Sequence, residues 1–286
     1  MSDIQVLGLC RFSYPSAPGG FEDAATSLDE VRARLYAPER MALRFLWFEH
    51  VALPSLMRQK DKDFRVVVLA GDQLPEKHRD RLLALLERLP QAVPVFMEEG
   101  EKHRVACRLA MRAHRDAGAR AVAEFRLDDD DAVAEIFVER VRRVFRHVRH
   151  LFEMRPRVTV DFCRGLLLRA TEEGLDLRPV LAQHWTPALV TYRAPDDDAS
   201  LLDALHTKLW RNMPQLSLPH PLMFLRGAHE DNASNLHGRW DRFGGWKAGK
   251  ADLDAYASGT FGIDLPGLEA ALSAWRASVD NPIDSP

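Results

Sequence analysis

The stretch AVAEFRLDDDD, Ala121 to Asp131, decides how this chain is read. Its first seven residues are largely small, β-branched or aromatic, the profile of a short buried strand closing at Phe125-Arg126-Leu127. The aspartates Asp128, Asp129, Asp130 and Asp131 end that strand. In an open α/β sheet, ligands collect outside the carboxyl ends of the strands, where neighbouring side chains converge on a crevice. What the run means therefore depends on whether it closes a strand of such a sheet.

Working back towards the amino terminus, the chain alternates. IQVLGLC, Ile4 to Cys10, is an apolar run that stops at Arg11-Phe12 and enters a segment rich in Pro, Gly and Ser through Gly20. Ala37-Pro38-Glu39 opens a helix in which Met41, Phe45, Phe48 and Ala52 recur at helical spacing as far as Lys60. FRVVVLA, Phe64 to Ala70, reads as a strand covered on both faces and stops at Gly71-Asp72. Pro75 starts a second helix with Leu82, Leu85, Leu86 and Leu89 on one stripe; a strand over Val93 to Met97 and a helix over Glu101 to Ala117 follow. The first half is thus β-α-β-α-β-α-β, and the simplest fold is a Rossmann-like α/β domain whose mixed, mainly parallel sheet is flanked by helices.

Downstream, Ala132 to Phe152 predicts one helix, with Val133, Ile136, Phe137, Val141, Val144, Phe145 and Val148 on its apolar face. Val158 to Phe162, Leu166 to Ala170, Ala188 to Tyr192 and Leu222 to Leu225 predict strands, and Leu265 to Ser278 a short helix. The expected organisation is one domain over 1–245, divided near 131 into a donor-binding half and an acceptor half, followed by a tail over 246–286.

Composition narrows the classes. In 286 residues, 46% hydrophobic and 28% charged content is that of a globular protein, and a net charge of −3 argues against a chain that coats nucleic acid. Cys10, Cys107 and Cys163 have neither disulfide-framework nor zinc spacing. The start Met-Ser-Asp-Ile lacks a basic and apolar leader, and no apolar stretch is long enough to span a bilayer, so a cytoplasmic location is expected.

Adjacent carboxylates repel one another, a cost that a shared cation relieves, and hard oxygen ligands suit Mg²⁺ or Mn²⁺. A metal held by few protein ligands keeps positions open for phosphate oxygens, and at a sugar diphosphate it would neutralise the leaving group as the anomeric bond breaks. Asp128-x-Asp130-Asp131, after a strand and before a helix, has the spacing this chemistry uses. The plain alternative is an acidic helix start, since Asp favours caps and first turns. A second enzymatic reading takes Asp129-x-Asp131-x-Val133 as the nucleophile loop of a haloacid-dehalogenase-like phosphohydrolase, although three strands precede it and no lysine with an acidic pair follows.

The combined order of motifs resembles the rhamnosyltransferase family, within the glycosyltransferases of the GT-A fold. The resemblance rests on Arg44 to Phe64, with Leu53-Pro-Ser-Leu56, Gln59 and Asp63-Phe64, then VVVLAGDQLP, then Phe125-Arg-Leu-Asp-Asp-Asp-Asp-Ala132, and late Leu225-Arg-Gly-Ala-His229 with Asn232, spanning Ile4 to Trp240. It implies a nucleotide-sugar donor, with rhamnose as the sugar the family's name suggests, and a glycan or lipid-linked acceptor. It also implies Asp128 near the nucleotide ribose, Asp130 and Asp131 on the metal, and His229 completing the metal shell. Arg11 and Asp72 stand at strand ends suited to the nucleotide, and Arg126 either meets a phosphate or pairs with the acidic run.

No single residue declares itself the catalytic base. Asp161, Asp197, Asp198 and Glu230 are candidates in the acceptor half, with His206 more in keeping with a structural role. Outside enzymes, the arginine-rich segment 139–157 offers a membrane- or nucleic-acid-binding helix, against the plainer reading of a solvated face. No nucleic-acid partner is expected, and peripheral contact with the inner face of the membrane stays open.

Overall fold

The computed structural model describes residues 3–18, 26–203, 205–229, 240 and 244–280. The run IQVLGLCR forms β1 (Ile4–Arg11), the centre of a seven-stranded sheet. On one side β1 pairs in parallel with β2 (Arg65–Gly71), and β2 with β3 (Ala92–Met97). On the other it pairs in parallel with β4 (Ala121–Leu127). The sheet continues through β9 (Leu189–Arg193), antiparallel to β4, then β6 (Arg157–Phe162), antiparallel to β9, and ends at β10 (Gln215–Leu218), parallel to β6. This is the expected mainly parallel, helix-flanked sheet. The chain leaves β1 towards β2 and β3 and returns on the opposite side to β4, so the crevice of a strand-order reversal lies between the carboxyl ends of β1 and β4. Gly8 lets the two strands close up, because a Cβ there would sit 2.5 Å from the Phe125 ring.

A second sheet of four strands, in the order β5-β11-β7-β8, is built from β5 (Ala132–Val133), β11 (Phe224–Ala228), β7 (Arg164–Thr171) and β8 (Gly174–Leu181). The helices are α1 (Leu28–Leu35), α2 (Pro38–Trp47), α3 (Leu53–Met57), α4 (Glu76–Leu86), α5 (His103–Arg112), α6 (Phe137–Met154), α7 (Lys250–Phe261) and α8 (Leu265–Asp280). A π-helical turn, Phe48–Ala52, joins α2 to α3. None of the helices among the described residues is long and apolar enough to cross a membrane.

Two expectations are corrected. The helix after the acidic run starts at Phe137, not Ala132: Ala132-Val133 instead pairs antiparallel with Phe224-Leu225, and Ala134 N–H donates to the Met223 carbonyl at 3.0 Å. The helix expected over Glu101 to Ala117 is only His103–Arg112, because the chain turns at Asp116, whose carboxylate accepts the Gly118 N–H at 2.9 Å. Leu253, Ala257, Phe261, Leu268 and Leu272 of α7 and α8 belong to the same hydrophobic cluster as β1, β4 and α6.

Candidate functional site

Beyond Leu127 the chain turns sharply, with Asp131 N–H donating to the Asp128 carbonyl at 3.1 Å, and Asp129, Asp130 and Asp131 are buried. Each carboxylate meets a different partner. Asp128 is gripped by Arg126, whose Nε and Nη2 donate at 3.0 and 2.5 Å. Asp129 takes the Arg44 guanidinium. Oδ2 of Asp130 lies 3.4 Å from His229 Nε2, without the alignment of a hydrogen bond. Oδ1 of Asp131 accepts the Gly227 N–H at 3.2 Å.

One helical face supplies much of this frame. Arg44, Trp47, Ser55 and Gln59 fall three, eight and four residues apart along the continuous α2-to-α3 segment and its exit. Arg44 holds Asp129, while the Trp47 ring stacks on His229 with centroids 5.2 Å apart and planes at 25°. Ser55 Oγ accepts the Val133 N–H at 3.4 Å; Gln59 donates to the Ala134 carbonyl at 2.8 Å and accepts the Val138 N–H at 3.1 Å. The π-helical turn lies inside this segment, a local widening often found beside functional sites. From the opposite side β11 comes so close that a Cβ on Gly227 would stand 2.5 Å from the Asp130 carbonyl oxygen.

The electrostatics divide the run. Burial raises the Asp128 carboxyl, but Arg126, helped by Arg11 and Arg226, outweighs it and holds the group well below its ordinary value. Asp130 is also held low, burial being outweighed by His229 and Arg44. Burial prevails at Asp129 despite Arg44, and at Asp131, where the Asp130 charge adds to it, so both are pushed up. Beside Arg11, the buried His103 is pulled down to about 3, first by burial and then by the guanidinium groups of Arg11 and Arg126. It is therefore neutral at pH 7, with Nδ1 3.4 Å from Arg11 Nη1. His206 is also lowered, by desolvation and then by Arg126 and Arg226.

The residues expected in the site separate by sheet edge. Arg11, Arg126, Asp128, Asp130, Asp131 and His229 come together at the β1–β4 crevice. Asp72 lies at the same edge beyond β2, exposed, its N–H extending the β2–β3 pairing onto the Met97 carbonyl at 2.9 Å. Asp161 ends β6 on that edge too, fully buried; Oδ2 accepts the His184 N–H at 3.0 Å and the Ser217 hydroxyl at 3.3 Å. His184 has φ 61°, so Asp161 braces a strained turn.

Asp197 and Asp198 are placed elsewhere. They follow β9, whose end pairs Arg193 with Val122 at the start of β4, across the sheet from the run. Asp197 is bound there by Arg157 at 2.7 and 2.5 Å and by Arg193 at 3.0 Å, and Asp198 is an exposed partner of Arg112. Glu230 and Asn232 lie outside the described residues. Arg44, Trp47, Arg226 and Gly227 were not singled out from the sequence. All four lie inside quoted motifs, and their spacing alone assigned them no partner.

Oδ2 of Asp129, Oδ2 of Asp131 and both His229 ring nitrogens are buried without a hydrogen bond, an arrangement a divalent cation and its oxygen ligands would satisfy. Among the described residues no three His, Cys, Asp or Glu side chains converge as a ready ligand set. The orphaned donors present would suit a cation held by few side chains and otherwise by phosphate and water oxygens.

The arginine-rich segment expected as one helix over 139–157 is helical only as far as Met154. The apolar face of α6 is buried and Arg142 binds Asp61 at 2.8 Å and Asp63 at 3.0 Å, whereas Arg157 starts β6 and binds Asp197.

No curated protein sequence matches the chain. Among solved structures, S. aureus TarS 1–349 is 12% identical over 78% of this chain and 60% of its own, with a TM-score of 0.39. The chain spans 37% of the longer TarS structure. The mannosyltransferase PcManGT from Pyrobaculum calidifontis, solved with GDP-Man and Mn²⁺, is 11% identical over 97% of this chain and 75% of its own, with a TM-score of 0.42. A nucleotide-diphospho-sugar transferase structure from Desulfovibrio desulfuricans G20 is 13% identical over 98% of each chain, with a TM-score of 0.37. The family model described as "Putative rhamnosyl transferase" matches residues 5–239, and the chain belongs to that family.

Proposed function

We propose that the chain transfers a sugar, rhamnose by the family's description, from a nucleotide-diphosphate donor to a glycan or lipid-linked hydroxyl, with Mn²⁺ or Mg²⁺ as cofactor. The observation that carries this reading is the buried acidic run at the β1–β4 crevice, with Asp130 facing His229 and arginines around Asp128. Arg11 and Arg226 are suited to the diphosphate, while Arg126 orients Asp128 towards the ribose. Arg44 and Trp47 hold the Asp129 and His229 side chains in place, so the site is preorganised before the donor arrives. A divalent cation at Asp130 and His229 would offset the charge that builds on the leaving diphosphate.

For the acceptor proton, Asp161 is the described base candidate of the acceptor half that stands on the correct edge, raised by burial; its bracing of His184 favours a positioning part in the reaction. The family match speaks against the phosphohydrolase alternative, and one oxygen of the Asp129 carboxylate that it would use as nucleophile is paired with Arg44.

The test is a thermal-shift titration with UDP, GDP and dTDP sugars, with and without Mn²⁺. A donor at a hundred times its dissociation constant stabilises the chain by about 2.7 kcal/mol. Asp130→Asn gives up the attraction that holds this carboxyl low, so it should melt somewhat lower than wild type without ligand, and it should lose the metal-dependent shift. A full shift in that variant, or none in wild type with any donor, would overturn the assignment.

A further inference from the structure

The outward side of α6 continues into a patch that lies apart from the donor site. Arg143, Arg146, His147, His150 and Met154 recur at three- and four-residue steps and so line one side of the helix, all of them exposed. At 1.5 Å per residue the stripe is about 16 Å long. It ends in apolar surface: Met154 is 83% exposed and Trp210 56%. Trp210, Arg211, Met213 and Pro214 face Leu151, Met154 and Arg155 across a groove of 410 Å³. The Arg211 guanidinium lies 5.2 Å from the Trp210 ring centroid.

Carboxylates are scarce here. Residues 154–160 and 205–218 contain no Asp or Glu. Within α6 itself, Glu139 is paired with Arg143, and Glu153 with Arg149 at 2.7 Å and Arg120 at 3.4 Å. Because the other side of α6 is fixed in the core, the stripe is a rigid face of the folded domain and not a detachable amphipathic helix.

We infer that this face docks on an anionic lipid bilayer, with the Trp210 indole and Met154 thioether seated among the headgroups and α6 lying along the surface. An indole at the headgroup level beside guanidinium groups is the recurrent chemistry of membrane interfaces, and the Arg146, Arg155 and Arg211 guanidinium groups along this elongated face match a planar sheet of negative charge. A second copy of the chain meeting the same patch would set arginine against arginine. With α6 flat on the bilayer, its first residue, Phe137, six positions after Asp131, stays level with the surface, so the donor site opens beside the membrane. That last consequence rests on the transferase reading; the docking does not.

The test is co-sedimentation of the full chain with phosphatidylcholine vesicles, with and without phosphatidylglycerol. Binding should require the anionic lipid and fall as salt shortens the screening length. Trp210→Ser with Met154→Ser should weaken it about tenfold or more, and Arg155→Glu with Arg211→Glu by roughly fivefold or more per cation. Both variants should keep the wild-type melting temperature and the Mn²⁺-dependent donor shift. The inference is overturned if wild type ignores anionic vesicles, if neither variant weakens binding, or if Trp210→Ser instead abolishes a concentration-dependent dimer. A chain that binds donor but no vesicles loses the docking face alone, and one that binds vesicles but no donor loses the transferase reading alone.

Discussion

Gly227 and Asp130 are in contact because one of them has no side chain. A methyl group on Gly227 would lie 2.5 Å from the Asp130 carbonyl oxygen and 2.9 Å from its Cβ, so Gly227→Ala must push β11 or the acidic turn aside. Overpacking of this kind costs about 1–3 kcal/mol. The expected result is a lower melting temperature together with weaker Mn²⁺-dependent donor binding, read by denaturation and titration on one preparation; unchanged donor binding would show that the β11 contact does not shape the run. The contrast with Asp130→Asn is useful, since that change removes a proposed ligand and leaves the β11 contact in place. At this scale the sequence reveals the acidic run and His229, because unusual residues in an unusual place can be seen one at a time. The partners of the run, Arg44 and Gly227, lie 85 and 96 residues away from the aspartates they meet, and a single sequence carries no record of which distant residues touch.

The strands show the same division. β1, β2 and β4 are legible because each is buried on both faces and reads as an apolar run. β8, GLDLRPVL, is not: it is only partly buried and carries Asp, Arg and Pro. α1 was missed for a like reason, with Val31 its buried residue among charges. The start of α6 was misplaced because Ala132-Val133 fits a helical stripe as well as a short strand; pairing with Phe224-Leu225 decides it. Gln59 then ties this junction to α3, so Gln59→Leu should cost about 2 kcal/mol or more, by leaving the Val138 N–H and Ala134 carbonyl without that partner, in urea denaturation.

At the opposite sheet edge, Asp197 joins β6 to β9 through Arg157 and Arg193. Burial works against this carboxyl, but Arg157, the Ala199 N–H and Arg193 hold it below its ordinary value. Its contribution is complete above the ordinary carboxylate range and disappears as pH falls through the lowered folded value. Asp197→Asn should therefore destabilise the chain at pH 7 by about 3 kcal/mol, in part by leaving a buried arginine short of charge. The gap from wild type should close towards pH 3; a constant gap would assign the loss to packing.

Across the whole molecule, the α/β architecture followed from the alternation of the first half, whereas the strand order and the second sheet did not, the latter because it joins the β7–β8 hairpin to the short strands β5 and β11, which lie far from each other in sequence. The segment after 245 gives Leu253, Ala257, Phe261, Leu268 and Leu272 to the common core, and Trp275 Nε1 donates to the Glu39 carbonyl at 3.2 Å. A chain ending at Gly245 should lose several kcal/mol, at about 1.5–3 kcal/mol for each large apolar side chain uncovered, and should bind a dye specific for exposed hydrophobic surface where wild type does not. The meeting of β11 with the acidic turn also sets an order of assembly. During synthesis Asp128 to Asp131 emerge with Arg44 and Arg126 already made, while Arg226, Gly227 and His229 follow nearly a hundred residues later. Until then Asp130 and Asp131 have no partner from the second sheet, so the nascent first half can build its strands early while the finished geometry of the acidic turn waits for β11.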